Sequence, residues 1–243
     1  MTFDLEAVRI TSLPEDAFYI ADFITEAEEE LLLHKILSAP LPRWTQLSHR
    51  RLQTWPSALT KSNTLLASPL PPWLVDPIIA PRFDSLGIFA ETPHGAPNHV
   101  LVNEYRPGQG IMPHEDGAAY YPLVATVSLG APIVLDLYEK RGGEGSEDEG
   151  VEQKRTPQFR ILQERRSLLI MRRKIYTDFL HGIAETCEDA GLGRESVCNW
   201  DLLREKSRFE DGVYQRETRI SLTYRDVLKV SRLGNTMKFL GAR

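Results

Sequence analysis

From His99 onward the chain is written almost wholly in short segments of β pattern, and this texture limits what it can fold into. Successive side chains of a strand point to opposite faces. In VLVNEY, residues 100–105, Leu101, Asn103 and Tyr105 therefore share one side. TRISLTYR, residues 218–225, alternates more cleanly, with Ile220, Leu222 and Tyr224 set against Arg219, Ser221, Thr223 and Arg225. LVATVSL (123–129) and IVLDLY (133–138) flank Gly130-Ala131-Pro132 and read as a hairpin. FRILQ (159–163), SLLIM (167–171) and DFLHGI (178–183) supply further short strands. The uncharged stretch from Gly117 to Leu135 approaches the length of a membrane span. Pro122, Gly130, Pro132 and its β-branched residues mark it instead as buried strands, so no membrane partner is expected.

The first third reads differently. Residues 25–38 predict a helix opened by a Thr25/Glu28 capping box and stopped by Pro40. Residues 72–89 look helical, but Pro77 and Pro81 predict a kink or two short helices. RWTQLSHRRLQTW (43–55) mixes basic and aromatic side chains with no clear period. Residues 140–157, rich in Gly and Glu, read as a mobile loop. Residues 185–212 read as a polar insertion with one short helix around Trp200–Lys206. The expectation is a mainly β, α+β protein. Residues 1–98 would form a helical and substrate-lid region, and 99–243 a β core, in one integrated domain.

A net charge of −5 and a pI near 5.7 exclude a strongly basic nucleic-acid coat, so any such partner must meet a local patch. The two cysteines, Cys187 and Cys198, make no CxxC pair, which favours a reducing compartment. MTFDLEAVRI carries acids and no apolar run, which argues against a secretory signal.

Chemistry concentrates at His114-Glu115-Asp116. Residues i and i+2 of a strand project from one face, so an H-x-D pair can bite one metal ion. Non-haem Fe(II) oxygenases complete such a pair with a second histidine. Of the other five, His181 alone ends an apolar strand-like run, and Gly182 after it permits close backbone approach. Arg219 and Arg225, six apart on the last strand, share a face, and a planar guanidinium pairs bidentately with carboxylates. Each piece alone is a weak signal; their order along the chain is a stronger one.

In that order the residues resemble the AlkB family of dioxygenases. NHVLVNEYRPGQGIMPHEDG (98–117) is similar to the family's N-x-Y…H-x-D block, YTDFLHGI (176–183) to the strand of the distal histidine, and TRISLTYR to the strand of the two arginines. Residues 43–55 resemble a eukaryotic branch, AlkB homologue six. The resemblance implies a double-stranded β-helix (jelly roll) with N-terminal helices packed on one sheet. It implies that His114, Asp116 and His181 ligate Fe(II), with 2-oxoglutarate as cosubstrate and O2 as oxidant. Arg219 would pair with the distal carboxylate of 2-oxoglutarate, and Asn103 and Tyr105 would hydrogen-bond it. Arg225 would lie near the cosubstrate's iron-binding end or orient Asp116. Ser221 stands where relatives often carry Asn. The stretch between His181 and Arg219 exceeds the short link of the bacterial enzyme and bears on access to the site.

The implied reaction is oxidative N-demethylation of alkylated nucleic-acid bases, in single-stranded DNA or RNA, by an intracellular monomer of nucleus and cytoplasm. Within the sequence its motive is the 43–55 segment, where Arg43, Trp44, His49, Arg50, Arg51 and Trp55 would grip phosphates and stack on a base. The alternatives are an oxygenase acting on a protein side chain and a catalytically silent nucleic-acid-binding member of the family.

Overall fold

The computed structural model describes residues 4–14, 16–140 and 156–231, so most of the expected 140–157 loop lies outside the described residues. In chain order the first third contributes strand β1 (Ala17–Ile20), helix α1 (Glu26–Leu37) and strands β2 (Thr45–Leu47), β3 (Arg50–Trp55) and β4 (Thr64–Leu66). Then follow β5 (His99–Tyr105), β6 (Ile111–His114), β7 (Leu123–Leu129), β8 (Ile133–Glu139), β9 (Phe159–Gln163) and β10 (Leu168–Arg172). The rest are β11 (Phe179–Ile183), β12 (Glu188–Ala190), β13 (Val213–Gln215), β14 (Arg219–Arg225) and β15 (Lys229–Ser231).

A seven-stranded sheet in the order β1-β10-β7-β14-β5-β3-β2 faces a four-stranded sheet in the order β6-β11-β8-β9. Period-two alternation sorts the larger sheet's side chains. Val100, Val102, Ala125, Val127, Ile220, Leu222 and Tyr224 pack outward beneath α1 and the 72–86 helical stretch. Tyr105, Val124, Leu169 and Met171 point inward, toward Leu135 and Ile183 of the smaller sheet. This is the jelly roll the sequence implied, with α1 on the outer face of the larger sheet.

Helix α1 opens with the expected capping box, Thr25 and Glu28 bonding each other's backbone N–H. Its Glu29 is buried and accepts from the Gly130 amide at 2.8 Å and from Arg165 at 3.0 and 2.5 Å. That contact pins the helix to the corner between β7 and β8.

The corner corrects the hairpin reading. β7 pairs with β10 and β14, whereas β8 pairs with β9 and β11 in the other sheet. Gly130-Ala131-Pro132 therefore carries the chain from one sheet to the other. Gly130 adopts φ +81°, and a Cβ there would meet the Thr218 carbonyl oxygen at 2.8 Å. Only glycine turns this corner without strain.

Two further readings change. Residues 72–86 form one continuous helical stretch with widened turns, not two short helices. The Asp84 N–H reaches back five residues to Ile79 O, around Pro81, which has no amide hydrogen to give. The first third is also less helical than expected, since β1, β2 and β3 extend the larger sheet. Residues 185–212 hold two short 3-10 turns, Trp200–Leu202 and Lys206–Phe209, in place of one helix. Leu192, Val197, Leu203 and Phe209 bury this segment in the inner core. Buried Glu164 fixes it by accepting from the amides of Arg204 at 3.1 Å and Glu205 at 2.7 Å. No described helix is long and apolar enough to cross a membrane.

Candidate metal centre

His114 closes β6 and His181 lies in β11, and the two are direct register partners. Their ring centroids are 4.4 Å apart. Asp116 follows two residues later, past the end of the strand, so the H-x-D pair spans a strand end and the turn at Gly117. The ligand atoms of His114, Asp116 and His181 all lie within 4.8 Å of one another. The β6–β11 approach needs Gly182, because a Cβ there would meet Ile111 O and Pro113 N at 3.1 Å.

The surroundings prepare these groups for a cation. His114 Nδ1 lies 2.9 Å from the Met112 carbonyl oxygen, which can only accept. The proton is therefore on Nδ1 and the Nε2 lone pair is free. Burial pulls the His181 pKa down to about 4 and lowers that of His114 too, so both rings are neutral at neutral pH. Arg225 donates to Asp116 Oδ1, while Oδ2 is buried without a partner. An orphaned buried carboxylate oxygen is costly unless a cation meets it. Two neutral imidazoles and one carboxylate with an unmet oxygen fit a divalent iron.

Beside the three residues lies a cavity of about 260 Å³. Its wall includes Asn103, Tyr105, Arg219, Ser221 and Arg225, each on the face that strand alternation assigned it. Arg219 is only 3% exposed and donates to Ser128 Oγ at 2.9 Å and Gln163 Oε1 at 3.2 Å. Among the described residues no carboxylate pairs with it, and its Nε has no partner. Burial lowers its pKa to about 10, so it stays charged at neutral pH. A buried, unneutralised guanidinium calls for an anionic ligand, and a dicarboxylate such as 2-oxoglutarate supplies one.

Sequence reasoning missed Ser128 and Gln163, which hold this guanidinium. Ser128 and Thr126 are the polar residues of β7 and share its inward face, a signal the alternation of the strand carried. The basic and aromatic patch at 43–55 also reads differently. Arg51 pairs bidentately with buried Glu104 at 2.8 and 2.5 Å and lies over the Trp44 ring at 4.0 Å. Arg43 covers the Trp55 ring at 3.5 Å and donates to Pro56 O. These four groups are engaged with one another and with the fold, not held out for a phosphate or base. Only exposed His49, beside Glu185, and Arg50, on the cavity wall, face outward or inward to the site.

Comparison with known proteins follows the same lines. The sequence profile of the 2OG-Fe(II) oxygenase superfamily matches residues 16–225. The chain is 42% identical over 229 residues to the Danio rerio protein named "Probable RNA/DNA demethylase ALKBH6", covering 94% of this chain and 93% of that one. It is 27% identical to the Xenopus tropicalis "tRNA (carboxymethyluridine(34)-5-O)-methyltransferase alkbh8", over 89% of this chain but 32% of the relative. The solved structure of OsALKBH1 shares the fold, with TM-score 0.54 at 14% identity over 88% of this chain and 98% of that one. So does a 2OG-Fe(II) oxygenase family oxidoreductase from Burkholderia pseudomallei, with TM-score 0.54 at 11% identity over 95% and 96%. With a matching profile, a near full-length relative and a His-Asp-His site beside a buried arginine, the chain belongs to the AlkB family of the 2OG-Fe(II) oxygenase superfamily, Fe(II)- and 2-oxoglutarate-dependent dioxygenases that consume O2.

Proposed function

We propose that this dioxygenase removes N-methyl groups from bases of single-stranded DNA or RNA. The observation that carries the reading is the 42% identity, over nearly the whole of both chains, to a relative named as a probable RNA/DNA demethylase. Half-buried Arg50 on the wall of the same cavity, with no described carboxylate paired to it in a chain of net charge −5, supports it by setting a positive charge where an anionic strand would enter.

His114, Asp116 and His181 hold Fe(II), offering the His114 Nε2 lone pair and the free Asp116 oxygen. Arg219 grips the far carboxylate of 2-oxoglutarate, its own orientation fixed by Ser128 and Gln163. Asn103 and Tyr105 on β5 and Ser221 on β14 line the same cavity, where the first two would hydrogen-bond the bound cosubstrate. Arg225 keeps Asp116 turned toward its two histidines. When bound, iron and cosubstrate supply an oxidant that hydroxylates a substrate C–H, with 2-oxoglutarate leaving as succinate and CO2. On an N-methyl group the hydroxylated carbon departs as formaldehyde. A base within a duplex must first leave the stack, which favours single strands.

The test is incubation of the purified protein with Fe(II), ascorbate, 2-oxoglutarate and a panel of N-methylated single-stranded oligonucleotides. Formaldehyde release with loss of one CH2 from an oligonucleotide is expected. Succinate formation with every oligonucleotide unchanged would move the substrate to another class, a protein side chain first.

A further inference from the structure

Arg50 and Arg51 are neighbours on β3, so alternation sends them to opposite faces of the larger sheet. Arg51 meets the buried Glu104 carboxylate. Arg50 falls on the cavity side, where its Nε donates to Asn103 Oδ1 at 3.3 Å. Among the described residues no carboxylate lies within ion-pair distance of Arg50, and its two terminal nitrogens make no hydrogen bond.

The other charges of this pocket are already matched. Arg225 meets Asp116, and Glu115 on the rim meets Lys140 at 2.6 Å. Arg219 takes one carboxylate of the cosubstrate in the reading above. With Fe(II) and dianionic 2-oxoglutarate in place the lining charges of Arg219, Arg225, Asp116 and Glu115 are cancelled, so Arg50 is the positive charge that neither ligand meets. Many N-methylated ring nitrogens leave their base cationic, and such a base would be repelled here unless it brought its own anion. Arg50 is half-buried on the cavity wall, between exposed His49 next to it in sequence and buried Asn103, to which it donates.

We infer that Arg50 binds a backbone phosphate of the substrate strand beside the target base. The inference rests on the nucleic-acid reading and names the contact that reading needs. Lone arginines of this kind position the strand without reading its sequence.

The experiment measures binding of a short unmodified single-stranded oligonucleotide to the Mn(II)- and 2-oxoglutarate-loaded protein across a salt series. Wild type binds with a salt-dependent affinity. Arg50→Ala is expected to weaken binding on the order of tenfold at low salt, and to flatten the log–log salt slope by about 0.7, one ion's worth for a single strand. Arg50→Lys restores the slope in part. Arg194→Ala, which removes a surface arginine paired with Asp201, keeps the wild-type slope. On the same oligonucleotide with uncharged methylphosphonate linkages, Arg50→Ala and wild type bind alike. An unchanged slope in Arg50→Ala would overturn the inference, as would an equal loss on the uncharged backbone. So would a rise in the 2-oxoglutarate dissociation constant as large as that for the oligonucleotide, which would give the guanidinium to the cosubstrate. Failure of wild type to bind any oligonucleotide would remove the nucleic-acid reading itself.

Discussion

Arg225 donates a hydrogen bond to one oxygen of Asp116 and leaves the other buried with no partner. The pair joins the last strand of the larger sheet to the turn after β6, so the Asp116 carboxylate is oriented by a residue far along the chain. Replacing Arg225 with Gln should lower Fe(II) affinity by about 10- to 100-fold, the usual effect of losing a partner that orients a ligand. Anaerobic metal titration of the variant checks this; wild-type affinity would show that Asp116 needs no such support.

Arg219 makes an opposite prediction for stability and for binding. A charge buried without a counter-ion destabilises the unliganded fold, so Arg219→Met should melt no lower than wild type in the absence of 2-oxoglutarate. Wild type should gain about 2.7 kcal/mol at cosubstrate concentrations a hundredfold above its dissociation constant, and the variant should gain nothing. Thermal melts with and without 2-oxoglutarate measure both. A variant still stabilised by the cosubstrate would place its carboxylate elsewhere.

Glu29 ties α1 to the β7–β8 corner through the Gly130 amide and Arg165. Glu29→Ala removes the acceptor of the partly exposed Arg165 guanidinium and of the half-buried Gly130 N–H, and should lower stability by about 1–3 kcal/mol. Urea unfolding reads this directly, and a loss below about 1 kcal/mol would mean that water replaces the carboxylate readily.

Asp136 carries a pH signature. Burial raises its pKa to about 6, against the pull of Arg160. A carboxyl group whose folded pKa exceeds its unfolded value favours folding when protonated. Its contribution is full below about pH 4 and is lost as pH climbs through about 6, amounting to at most about 3 kcal/mol. Asp136→Asn should therefore gain stability on wild type between pH 4.5 and 7 in parallel urea titrations. A stability difference that stays flat over that interval would mean Asp136 titrates normally.

How much of this was legible in the sequence follows from where alternation is visible. On β14 the apolar Ile220, Leu222 and Tyr224 stand against Arg219, Ser221 and Arg225, and each side chain lies where the pattern put it. β7 and β8 are buried on both faces, so nothing in them says which sheet each joins, and Gly130-Ala131-Pro132 suits a corner as well as a hairpin. In 43–55 both faces carry polar or aromatic residues. The opposite fates of Arg50 and Arg51 depend on Glu104 and Asn103, which only the β3–β5 register brings near. Pairings such as Glu164 with the 204–205 amides join distant segments and leave no local trace.

The proposed reaction needs one iron ion shared by His114, Asp116 and His181. Anaerobic equilibrium dialysis of Fe(II) against wild type, His114→Ala, Asp116→Asn and His181→Ala tests it most directly, with circular dichroism to confirm that each variant is folded. Wild type should hold one ion tightly per chain and the folded histidine variants none, with succinate production lost in step. A folded His181→Ala protein that retained its iron at wild-type affinity would contradict it.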